Sequence, residues 1–181
     1  MIFFVVLAAA TLLTGVIQAI RRRFDARSTA RAGLAIAMMA AGVAHLVRPA
    51  PFLQHLPPWT PGAEALILIT GLIEIGLGAA LLVLRGRWRH WTGIALAAYL
   101  VAVFPGNVYV AAAGVDVDGQ PGGWYPWLRL PFQALFIAWA VWSTRLRRSA
   151  LPGRHDGSGP EPTWRRGAPH RRSRMTLHWR A

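Results

Sequence analysis

Glu74 sits near the middle of LILITGLIEIGLGAALLVL, residues 66–84, a run with no other charged side chain. A carboxylate in such surroundings accepts a proton, binds a ligand, or ties helices together through a hydrogen bond, and the sequence leaves these open. Four more polar side chains lie in apolar stretches. His45 closes AAGVAH, behind the small residues Ala37, Ala41 and Ala44. It is either a proton carrier or head-group donor, or a histidine capping a helix at an interface. Asn107 follows Pro105 in VFPGNVY. Pro105 has no N–H for the carbonyl of Val101, so the helix kinks or opens there, either lining a pocket or merely bending. Arg129 and Gln133 are four apart in WLRLPFQ and share a helix face. The guanidinium suits a carboxylate, a phosphate or a quinone carbonyl, with snorkelling to lipid head groups as the alternative.

These side chains need helices to carry them. Five apolar runs approach the ~20 residues that cross a bilayer, at 1–20, 29–47, 63–84, 91–113 and 127–143. Steps of three, four and seven from Glu74 reach Ile67, Thr70, Gly71, Leu77, Gly78 and Leu81. Gly71 and Gly78 on that face admit a close neighbour, so Glu74 is expected to face other helices and not lipid. At 1.5 Å per residue it lies ~16 Å along its span, near mid-depth. His45, Asn107 and Arg129 are expected nearer one surface, with Gln133 ~6 Å deeper than Arg129 and Glu74 deeper again. The connection VRPAPFLQHLPPWTPGAE has five prolines yet carries Phe52, Leu53, Leu56 and Trp59. It is too broken for one helix and too apolar for a free loop, so it is expected to lie as a lid.

Charge sets the orientation. The chain of 181 residues has a net charge of +13, all of its basic residues being arginine. In a soluble protein this would suggest nucleic-acid binding, but the arginines fall between and after the apolar runs, so no nucleic-acid partner is expected and the lipid bilayer is. All but Arg48 and Arg129 lie on one side of a five-span arrangement. The positive-inside rule then gives an outer N-terminus and an inner C-terminus. The first run has its arginines after it, at Arg21, Arg22 and Arg23, and so reads as a retained helix and not a cleaved signal. From about residue 150 the chain is rich in Pro, Gly, Arg and His without apolar period, and reads as a disordered basic tail. No cysteine is present, so this chain supplies no disulfide and no thiolate ligand.

The set AGVAHLVRPAPFLQHLPPWTP, TGLIEIGLGAALL, VAVFPGNVYVA and LRLPFQALFIAWA, within 29–144, resembles the DoxX-like family of small membrane proteins. The matching positions are His45, Pro49, Gly71, Glu74, Pro105, Asn107, Arg129, Pro131 and Gln133. The resemblance implies an all-α, four-helix transmembrane bundle in the plasma membrane. Residues 1–20 are then an added N-terminal helix, and residues 150–181 an added tail. The family is named for a subunit of a thiosulfate:quinone oxidoreductase, and other members look like membrane partners of redox complexes.

Two readings follow. One is an accessory or anchor subunit of a quinone-linked redox system, with His45, Glu74, Asn107, Arg129 and Gln133 converging on an outward-opening pocket and Gly71, Gly78, Pro49, Pro105 and Pro131 shaping it. A quinone is its expected cofactor, held non-covalently, and an oxidoreductase subunit or a second copy its expected partner. With no Cys and no pair of histidines at helical spacing, the chain is not expected to be a complete enzyme alone or to hold a metal. The other reading is a small-solute or proton permease, or an assembly factor.

Overall fold

The computed structural model describes residues 2–22 and 24–146, and every regular element among them is an α-helix. The tail expected from residue 150 lies outside the described residues. In chain order the helices are α1 (Ile2–Ile20), α2 (Ala26–Val47), the short α3 (Ala50–Leu53), α4 (Ala63–Val83), α5 (Gly86–Ala113) and α6 (Tyr125–Thr144). Three of them, α2, α4 and α5, are long and apolar enough to cross a membrane. α2 and α5 begin earlier than their apolar runs, at Ala26 and Gly86 in place of 29 and 91. Arginine is a good helix former, so arginine-bearing first turns stay helical although they are too polar to count as span.

α2, α4, α5 and α6 pack as a closed ring, each touching the next, and α1 packs on the flank of α2. The core holds Leu7 of α1, Leu34 and Met38 of α2, Leu81 of α4, Leu96 and Leu100 of α5, and Phe136 and Ala140 of α6. Large apolar side chains such as Leu12, Leu72, Val83 and Val101 are exposed on the outward faces. That pattern is inverted for a water-soluble bundle and natural for one surrounded by lipid.

Small residues let the helices approach. α4 buries Ile67, Gly71, Glu74, Gly78 and Leu81 on one stripe, the face defined by steps from Glu74. A Cβ at Gly78 would sit 2.7 Å from the carbonyl of Ala35. At the α2–α6 seam the indole of Trp139 donates to the carbonyl of Ala30 at 3.0 Å. α5 ends at Gly114, whose φ of 64° needs glycine, and the N–H of Val115 reaches back to the carbonyl of Val110. This closure turns the chain sharply into the 114–124 loop. That loop and the 48–62 connection lie at one end of the ring, here the lid end.

Candidate functional site

The site begins with the approach of α2 to α4. A Cβ at Gly71 would lie 2.7 Å from the Cβ of His45 and 2.9 Å from the carbonyl of Gly42. With the backbones this close, His45 Nδ1 lies 3.1 Å from Glu74 Oε2. Both residues are 8% exposed. The two atoms are off hydrogen-bond alignment, so their interaction is a close electrostatic contact and not an aligned bond. The other carboxylate oxygen, Oε1, accepts the hydroxyl proton of Tyr99 on α5 at 2.8 Å. Burying a lone carboxylate is prohibitive, so the group needs either a cationic partner or its own proton. His45 offers both solutions: one proton held on the imidazole gives an ion pair, and the same proton on Glu74 gives a neutral pair.

The lid closes over this pair. Pro49 caps α3, and the Phe52 ring stands edge-on to the His45 ring with centroids 3.8 Å apart. Beyond α3, His55 makes two contacts. Its Nδ1 donates to the carbonyl of Pro51 at 2.9 Å, and its Nε2 accepts from Arg129 Nη1 at 2.8 Å. Arg129 Nη1 also donates to Gln120 of the 114–124 loop at 2.8 Å. Burial first, then the charge of Arg129, hold the His55 imidazole well below its ordinary 6.5, at about 4. His55 is thus neutral near pH 7, which agrees with its accepting a bond from a guanidinium.

A third contact joins α5 and α6. Gln133 Nε2 donates to the carbonyl of Leu100 at 2.8 Å, and Gln133 Oε1 accepts from Asn107 at 3.3 Å. Leu100 immediately precedes Val101, whose carbonyl Pro105 cannot satisfy, so the amide braces the backbone just before the proline. Helix α5 continues through Pro105, and α6 through Pro131. Gln133→Leu should therefore lower stability by about 1–3 kcal/mol, because the buried carbonyl of Leu100 and the Asn107 amide both lose a partner. Denaturant titration in detergent against Asn107→Ala checks this; an Asn107 loss at least as large would show that the Leu100 bond contributes nothing.

The five side chains singled out from the sequence thus fall into three contacts. His45 meets Glu74, Asn107 meets Gln133, and Arg129 meets His55 and Gln120. A cavity of about 350 Å³ at the lid end is lined by Val110, Asp116, Gly122 and Trp127, among others, and by none of the five. Sequence reasoning passed over Tyr99, His55, Gln54 and Gln120. Tyr99 had a usable signal, a phenol deep in an apolar run. His55 had one too, a histidine between prolines in a segment too apolar for a free loop.

A family model described as Domain of unknown function (DUF8561) matches residues 34–144, from within α2 to the last residue of α6. Helix α1 precedes the matched region. No curated protein and no solved structure matches the chain.

Proposed function

Starting from a chain that belongs to the DUF8561 family, we propose a multi-pass plasma-membrane protein that serves as an accessory or anchor subunit of a quinone-linked redox system. In this reading α1, α2, α4, α5 and α6 are the five spans. Arg21, Arg22, Arg85, Arg87, Arg89 and Arg145 lie at the inner surface and the lid end faces out. The observation that carries the proposal is the His45–Glu74–Tyr99 cluster, an ionisable pair and a phenol buried among apolar helices. Groups of this kind are costly in lipid and mark ligand or proton sites.

The core argues for a site open to one side. Leu34, Met38, Leu81 and Leu96 are fully buried, and Leu81 lies two turns beyond Glu74 on the same face of α4. A polar path across the whole bundle would have to pass them, which disfavours a permease built from one copy. A quinone supplies two carbonyl acceptors and the capacity to take up electrons and protons. His45 and Tyr99 are the donors that would orient a carbonyl, and Glu74 is the group that would hold or release a proton. The electrons must come from a partner subunit. The four motifs that resemble the DoxX-like family fall on α2 with its lid, α4, α5 and α6, and support the same assignment.

The test is binding of a short-chain ubiquinone analogue to the protein in lipid nanodiscs, by calorimetry. Glu74→Gln and His45→Ala should each weaken binding at least tenfold, about 1.4 kcal/mol. Unchanged affinity in both would remove the site. Proton or solute flux in liposomes that disappears in Glu74→Gln would instead favour the permease.

A further inference from the structure

The connection between α2 and α4 is fastened at several points, and the fastenings differ in chemistry. Phe52 covers His45. Gln54 makes a two-way bond with the 114–124 loop: its Nε2 donates to Asp118 Oδ2 at 3.0 Å, and its Oε1 accepts the Asp118 N–H at 2.8 Å. The backbone at His55 lies on α5 where there is no side chain, since a Cβ at Gly106 would meet the His55 carbonyl at 3.1 Å. The last fastening is His55 on Arg129.

We propose that residues 48–62 form a gate over the His45–Glu74 pair, and that proton uptake by His55 releases it. The inference rests on reading that pair as the ligand site. Neutral His55 spends its one N–H on Pro51 and offers the bare Nε2 to Arg129. A proton on Nε2 removes the acceptor and places a second cation against the guanidinium, so bond and electrostatics fail together. Among the described residues, the charged and titratable groups around His55 are Arg129 from α6 and His45 from α2, with Glu74 of α4 paired to His45. From α5 the contact is Gly106, which carries no charge. Asp118, in the facing loop, is bonded to Gln54. Arg129 opposes a charged His55, and among the described residues no carboxylate is bonded to it.

The sign follows from the imidazole being held at about 4 in the closed gate, against 6.5 when free. Closure is at full strength above pH 6.5, where His55 is neutral in both states. Below that pH the open gate binds the proton and the closed gate resists it. Closure weakens about tenfold per pH unit and levels off below about pH 4, at a total of about 300-fold.

Hydrogen–deuterium exchange of the full chain in nanodiscs reads this directly. Protection of the peptide over residues 50–57, corrected for intrinsic exchange rates, is measured at pH 7.5 and pH 4.5. Wild type should lose about 100-fold in protection at the lower pH, with α4 peptides unchanged. His55→Gln keeps a neutral acceptor for Arg129 without a titrating group, so its lid should stay protected at both pH values. His55→Ala should be unprotected at both. A wild-type lid equally protected at the two pH values, or a His55→Gln lid that loses as much as wild type, overturns the gate. Failure of the site reading looks different: the lid still titrates, while quinone-analogue affinity ignores Glu74→Gln.

Discussion

Gly42→Leu should be strongly destabilising. A Cβ at position 42 would overlap the carbonyl oxygen of Gly71 and come within 2.8 Å of Ile75 Cγ1 and 3.0 Å of the Ile75 N–H. Two of those three atoms are backbone, so no rotamer change relieves the clash and α2 must move off α4. Overpacking of this kind costs about 1–3 kcal/mol where side chains can yield, and more where they cannot. At about 2–4 °C per kcal/mol for a chain of this size, the melting temperature in detergent should fall by about 10 °C or more. Gly76→Leu is the matched control, because a Cβ there meets nothing within 4 Å. Equal melting of the two variants would show that the α2–α4 approach is not tight in solution. Separating α2 from α4 also parts His45 from Glu74, so ligand binding should disappear with the fold stability.

The second large effect concerns the buried pair itself. His45→Ala leaves Glu74 Oε2 buried without its nearest polar neighbour and should cost about 1–3 kcal/mol, the usual penalty for a buried polar group that loses its partner. Replacing both residues, as His45→Leu with Glu74→Leu, should recover most of that loss, since two apolar side chains have no desolvation penalty to offset. Tyr99→Phe should cost only about 0.6–2 kcal/mol, the range for one hydrogen bond between helices in a membrane. Denaturant unfolding of the single and double variants gives the coupling between the two positions. A double variant no more stable than His45→Ala would mean that the pair does not interact. A stable double variant that no longer binds the quinone analogue would separate the two roles open to Glu74, ligand site and helix tie.

The stripe on α4 was readable because it follows from helix geometry alone. Glu74, Gly71 and Gly78 share a face whatever surrounds them, and two glycines on the face of a carboxylate point it at another helix. The partner was not readable. Spacing fixes where Tyr99 lies along α5 but not its rotation towards α4, and 25 residues separate it from Glu74. The lid followed from composition, as apolar residues among prolines must lie against something. Its fastenings did not, because an irregular segment has no period that says which side chain turns inward. His55 and Arg129 are 74 residues apart and meet only once the ring has closed. Spacing along each helix was legible and azimuth was not, which is why five polar residues expected in one pocket are found in three contacts, with His45 level with Glu74 and not above it.

The ring is unevenly joined. α4 packs most extensively on α2 and α5 on α6, while α4 and α5, neighbours in the chain, share the thinnest of the ring's seams. The Tyr99–Glu74 bond crosses that seam. α2 precedes α4 in the chain by the whole lid segment, and α5 likewise has its main partner, α6, after it. The packing divides the helices into two closely joined halves, α1–α2–α4 and α5–α6, and the phenol–carboxylate bond crosses between them. The ionisable pair lies within one half and takes its third partner from the other.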